Sequence, residues 1–183
     1  VSWETRVGYQ NWTVSYKNMN NVVYISDAFL DDIGGGGELN DHELLQMLHD
    51  RGHAVVKKRS HRVTLDFINE QLIQILQKRG VDVSQIKSQN VSPNFLQEQT
   101  KDTKFIIANF IGLAEESKSV LKLEKEYIIY EHDHKYVKTR NPALYKNFQV
   151  PQRDIVNFHF YKNAAAILCQ SAFHRSIIEN NLK

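Results

Sequence analysis

The chain has 183 residues and a formal charge of +2, with 24% charged and 42% hydrophobic side chains. That length suits one domain, or at most two small ones, with a core that needs no staples. The balance excludes collagen-like and low-complexity chains, and it lacks the strong basic excess of a nucleic-acid binder.

Cys169 is the only cysteine. An intrachain disulfide and a cysteine-based metal cluster are therefore excluded, and a reducing, cytoplasmic setting is expected. No run reaches the roughly 18 apolar residues of a membrane-spanning helix. Val1 to Arg6 lacks a signal-peptide apolar core, and a start at Val suggests a trimmed chain. The sequons Asn11-Trp12-Thr13 and Asn90-Val91-Ser92 would matter only in a secreted protein. Residues 1–20 read as an N-terminal arm and 21–183 as one domain.

In chain order, Asn21 to Ser26 predicts a buried strand. Glu38 to Arg51 predicts a helix with Leu44, Leu45, Met47 and Leu48 on one side and Gly52 as its stop. Ala54 to Lys58 is a second strand. Asp66 to Arg79 has helical spacing and closes at Gly80, and Val81 to Lys87 suits a short strand. Ser92 and Pro93 are an N-cap and first residue of a short helix to Gln99. Phe105 to Phe110 predicts a strand, Glu115 to Leu121 a helix, and Tyr127 to Tyr130 a strand. Helices around Asp154 to Lys162 and Ala172 to Asn180 flank the strand Ala165 to Cys169. Residues 59–68 echo 87–96, which reads as shared capping chemistry.

Continuous apolar strands alternating with helices predict an α/β fold with a mostly parallel sheet covered on both faces. Ligands then sit at the carboxyl ends of the strands, so the loops there carry the candidate chemistry.

The first such loop holds four of the chain's 8 glycines, Gly34, Gly35, Gly36 and Gly37, followed by Glu38. Glycines let backbone N–H groups approach a ligand, and the helix N-terminus favours a phosphate or carboxylate. The run is not a Walker A loop, because no Gly-Lys-Ser/Thr follows. It is a poor dinucleotide fingerprint, since Leu39 stands where the third glycine belongs. Lys57, Lys58 and Arg59 at the next strand end would suit a 2′-phosphate, which keeps an NADP-dependent oxidoreductase open.

The second is Glu131-His132-Asp133-His134. On an extended chain Glu131 and Asp133 share one side, and His132 and His134 the other. His132 suits a general base or a hydrogen bond to a sugar or phosphate. A His-x-His pair needs a third ligand to hold zinc, and only His61, His159 and His174 are candidates through unknown contacts, so metal is not expected. The third is Cys169-Gln170-Ser171, where no nucleophile elbow surrounds Ser171 and a helix cap is the simpler role. Lys57 to Arg62 is a basic stretch compatible with a solvated loop, an anionic acceptor or peripheral membrane association.

Three segments in this order resemble one family. They are Val23 to Ser26 with Gly34 to Glu38 and a helix ending Arg51-Gly52-His53, then Ile128 to Asp133, then Lys162 to Ser171. Over about residues 22–182 the chain resembles the N-terminal domain of retaining, nucleotide-sugar-dependent glycosyltransferases of the GT-B fold, family 4-like. The resemblance implies a Rossmann-like three-layer sandwich as half of a two-domain enzyme, with no metal or other cofactor.

It implies that Gly34 to Gly37 and Glu38 lie under the donor diphosphate. His132 and Asp133 would be catalytic, with His132 beside the transferred sugar. Asn109, Glu131, His134 and Ser171 would line the substrate site. The partners would be a nucleotide diphosphate sugar, a glycosyl acceptor and a donor-binding C-terminal domain beyond Lys183. This chain alone is then expected to be inactive or nearly so. A non-catalytic binding module with the same fold is the other alternative.

Overall fold

The computed structural model describes residues 21–60, 75, 78–80 and 91–183. Its strands are β1 (Asn21–Ser26), β2 (Ala54–Arg59), β3 (Lys104–Ile107), β4 (Tyr127–Glu131) and β5 (Ala166–Cys169). They form one five-stranded sheet in the order β2-β1-β3-β4-β5, and every neighbouring pair is parallel. The helices are α1 (Gly36–Asp50), α2 (Pro93–Glu98), α3 (Glu115–Glu124), α4 (Phe158–Lys162) and α5 (Ala172–Asn181). The fold is α/β and Rossmann-like, as the alternation of strands and helices predicts.

The two-residue period of the strands divides the core. Val22, Tyr24, Ile106 and Ala108 face α1, where Leu44, Leu45 and Leu48 pack on them. Val23, Ile25, Phe105, Ile107, Tyr127 and Ile129 face the other way, with Leu96, Leu121 and Ile178 from α2, α3 and α5. Each fully buried Val, Leu, Ile or Phe among them contributes about 1.5–3 kcal/mol. The side chains of Tyr24, Tyr127 and Tyr161 are also fully buried.

α1 ends where Gly52 adopts φ +79°, a region that favours glycine. There Gly52 N–H donates to His49 O at 2.8 Å and His53 N–H to Leu48 O at 3.1 Å, closing the last turn before β2. Ser92 caps α2 by accepting from Phe95 N–H at 3.1 Å, with Pro93 in the first turn.

One expected helix begins later than its sequence pattern suggests. Residues 154–157 do not belong to α4: Gln152–Asp154 is a 3-10 turn and Asn157 is left-handed at φ 54°. This segment pairs instead with residues 136–138. Lys138 N–H donates to Asp154 O and Val156 N–H to Tyr136 O, at 3.0 and 2.7 Å. Backbone groups committed to that pairing cannot close helical turns. β3 is also shorter than expected, ending at Ile107, although Ala108 N–H still donates to Ile25 O at 2.8 Å. The expected helix 66–79 and strand 81–87 lie outside the described residues, apart from residues 75 and 78–80.

Candidate functional site

In a sheet of this order the chain reverses its direction of winding between β1 and β3, and a crevice opens at the carboxyl ends. A cavity of about 380 Å³ lies there. Gly36, Gly37, Glu38, Asn40 and Asp41 of α1 form one wall. Asn109 after β3, His132, Asp133 and Lys135 after β4, and Gln170 after β5 form the rest.

α1 starts without a side-chain cap on Gly35. Its first N–H groups therefore keep hydrogen-bonding capacity at the positive end of the helix dipole. Gly36 has no heavy atom within 4 Å of where a Cβ would stand. A Cβ on Gly37 would lie 3.7 to 4.0 Å from three atoms of the His132 side chain, an ordinary contact. The glycines thus keep this wall low. The Glu38 carboxylate folds back against Gly35.

Across the cavity, the His132 side chain is 10% exposed and tightly held. Its Nε2 is 2.7 Å from Asp41 Oδ1, and its Nδ1 is 2.8 Å from the Gln170 side-chain nitrogen. The ring also packs on Tyr130, centroid to centroid 4.4 Å. Asp41 is 2% exposed and accepts from Tyr24 OH at 2.7 Å and Ser26 Oγ at 3.1 Å. Burial, then the Asp41 carboxylate, raises the Tyr24 phenol far above its ordinary range, so it stays a donor.

Asp133 reaches the cavity but is held by cations. Its Oδ1 is 2.5 Å from Lys135 Nζ, and its Oδ2 accepts from Arg140 at 3.0 Å. Asn109 Oδ1 lines the same space, buried and without a hydrogen-bond partner among the described residues.

Other expected site residues stand elsewhere. Gly34 and Gly35 do not line the cavity. Glu131 is fully buried on the opposite face of the sheet, where it accepts from the backbone N–H of His132 and Asp133, both at 3.0 Å. It also accepts from Lys135 Nζ at 3.1 Å and from Tyr161 OH. Ser171 caps α5, accepting from His174 N–H at 3.1 Å. The expected alternation of Glu131 to His134 breaks at its last member, because His134 has φ 56°.

His134 packs its ring 4.4 Å from His174. Burial, and then repulsion from His174, lowers its pKa to about 4 from an ordinary 6.5. Burial lowers that of His174 as well. The unfolded chain then binds more protons than the folded one between pH 6.5 and about 4, so stability falls as pH falls through that window. Urea midpoints at pH 7.5, 5.5 and 4.5 should therefore drop for the wild type and drop less for His134→Phe. Equal slopes would contradict the assignment.

The basic end of β2 is already engaged. Lys57 Nζ is 3.1 Å from Asp31, and Arg59 donates to Asp32, holding that carboxyl below its usual range. Burial pushes the Cys169 thiol up to about 11, which makes it a poor nucleophile. No cluster of three or more His, Cys, Asp or Glu suited to a metal occurs among the described residues. No helix among the described residues is long and apolar enough to cross a membrane.

Asp41, Lys135 and Gln170 were not among the expected site residues. A signal for Asp41 exists in the sequence: it precedes Leu45 by four and Leu48 by seven residues, on the buried stripe of α1. Fold and site together define an α/β protein with a polar cavity at the carboxyl ends of a parallel sheet. Family models, curated proteins and solved structures were each compared with the chain, and none matches it.

Proposed function

We propose that this domain is the acceptor-side half of a glycosyltransferase that moves a sugar from a nucleotide diphosphate sugar to an acceptor hydroxyl. One observation carries the reading: an uncapped helix N-terminus at Gly36 and Gly37 and a braced imidazole at His132 form opposite sides of one cavity. The helix end suits a leaving diphosphate, whose developing charge its N–H groups would stabilise. Glu38 would swing away from Gly35 to admit that anion. His132 would contact the sugar or the acceptor hydroxyl. A second domain would hold the nucleotide, and the resemblance to retaining enzymes makes retention of configuration the expected outcome.

The ion pairs of Lys57 and Arg59 weigh against the oxidoreductase alternative, because those cations already face carboxylates. A non-catalytic binding module would hold the same ligand without turning it over, and sugar transfer itself separates the two.

Gly36→Leu in the full-length protein tests the reading. A Cβ at this position meets no heavy atom within 4 Å and the leucine then extends into the cavity that Gly36 lines, so the fold should be retained, which circular dichroism checks. The KM for the donor should rise by about tenfold, equivalent to roughly 1.4 kcal/mol. Unchanged donor kinetics would overturn the proposal.

A further inference from the structure

We propose that Asp41 is the positioning residue for His132: it fixes the imidazole as the Nε2–H tautomer and leaves Nδ1 as a hydrogen-bond acceptor for a ligand hydroxyl. The role assigned to the hydroxyl rests on the transferase reading. The tautomer does not.

Asp41 belongs to α1 and His132 follows β4, 91 residues apart in sequence, yet their side chains meet at 2.7 Å. The Asp41 carboxylate already receives Tyr24 OH on Oδ1 and Ser26 Oγ on Oδ2. An ionised carboxylate only accepts, so the proton between Asp41 and His132 belongs to Nε2. In a neutral imidazole the other nitrogen then carries a lone pair. The side-chain amide of Gln170, 2.8 Å from Nδ1, is placed to donate to it. Both neighbours of the ring therefore demand the same tautomer.

The ring cannot easily turn to exchange its nitrogens. Gly37 lies against one side, and Tyr130 packs on it as well. Tyr24 and Ser26 stand two residues apart on β1, so both reach the same carboxylate from one face. This bracing exceeds what a lone surface histidine needs. It selects the ligand group too. A hydroxyl can donate to Nδ1 in place of Gln170, whereas an anionic oxygen would meet a lone pair. Phosphate oxygens are then directed to the helix end and an alcohol to His132.

The test is the long-range 1H–15N spectrum of 15N-histidine-labelled protein at pH 7.5. The wild type should show His132 as a single Nε2–H tautomer, and Gln170→Ala should keep it. Asp41→Ala combined with Gln170→Ala removes both neighbours and should convert it to a mixture of the two tautomers. A wild type that is Nδ1–H, mixed or doubly protonated would overturn the proposal, even if the double variant fails to fold. So would a folded double variant that keeps a single Nε2–H tautomer. In the full-length enzyme Asp41→Asn should lower kcat by about 10–100-fold with the donor KM held within about twofold. The expected tautomer with no sugar transfer by the wild type would defeat the transferase reading alone.

Discussion

Glu131→Ala is expected to destabilise the domain by about 3–5 kcal/mol, the range for breaking a buried ion pair by removing one partner. Glu131 is fully buried, and four donors converge on it. Removing the carboxylate takes away the fully buried partner of the Lys135 ammonium, whose side chain is 2% exposed and which is left with Asp133 alone, and leaves Tyr161 OH without its acceptor. Two backbone N–H groups at the start of the site loop lose theirs as well. Glu131→Gln keeps an oxygen for some of these donors and removes the charge, so it should cost less, about 1–3 kcal/mol. Urea unfolding of the two variants beside the wild type checks the order. Near-equal stability of Glu131→Ala and wild type would show that the carboxylate does not hold the loop. The loop matters because the same turn aims His132 at α1 and brings Lys135 to the cavity.

The second large effect falls on activity. His132→Ala in the full-length protein is expected to reduce sugar transfer by about 100- to 10,000-fold, the range for losing a positioned acid–base group. The fold should survive, because the side chain borders the cavity rather than the apolar core. Asp41 would still accept from Tyr24 and Ser26, so the loss leaves a buried carboxylate with two donors. A variant with wild-type turnover would assign catalysis elsewhere.

Much of the fold is legible in the sequence because burial and periodicity agree. Asn21 to Ser26 and Tyr127 to Tyr130 sit in the middle of the sheet, where continuous apolar runs are needed. Ser92, Pro93 and Gly52 announce their helix ends through local chemistry alone. The start of α4 is not legible. Residues 154–157 are set by pairing with 136–138, which lies nearly twenty residues away and leaves no local trace.

The site divides in the same way. The glycine run and His132 are visible because both stand at strand ends. Asp41 is obscured by its helix, where an acidic residue ordinarily reads as solvated. Its partners Tyr24 and Ser26 are the clue: two polar tips on the α1 face of a buried strand require an acceptor there. The fate of Glu131 follows from a parity that the sequence already holds. Tyr127, Ile129 and Glu131 share the face opposite α1, so Glu131 enters the core while His132 meets the cavity. Gln170 is placed only by the neighbouring of β4 and β5, a tertiary fact.

The central claim is that the cavity beside His132 belongs to a sugar-transferring enzyme. Release of nucleoside diphosphate from a panel of nucleotide diphosphate sugars measures this most directly, using the full-length protein and its His132→Ala variant with thermal midpoints recorded in parallel. The account predicts release from at least one donor, lost in the variant while its midpoint stays within a few degrees of wild type. Release from no donor, or equal release by both proteins, would contradict it.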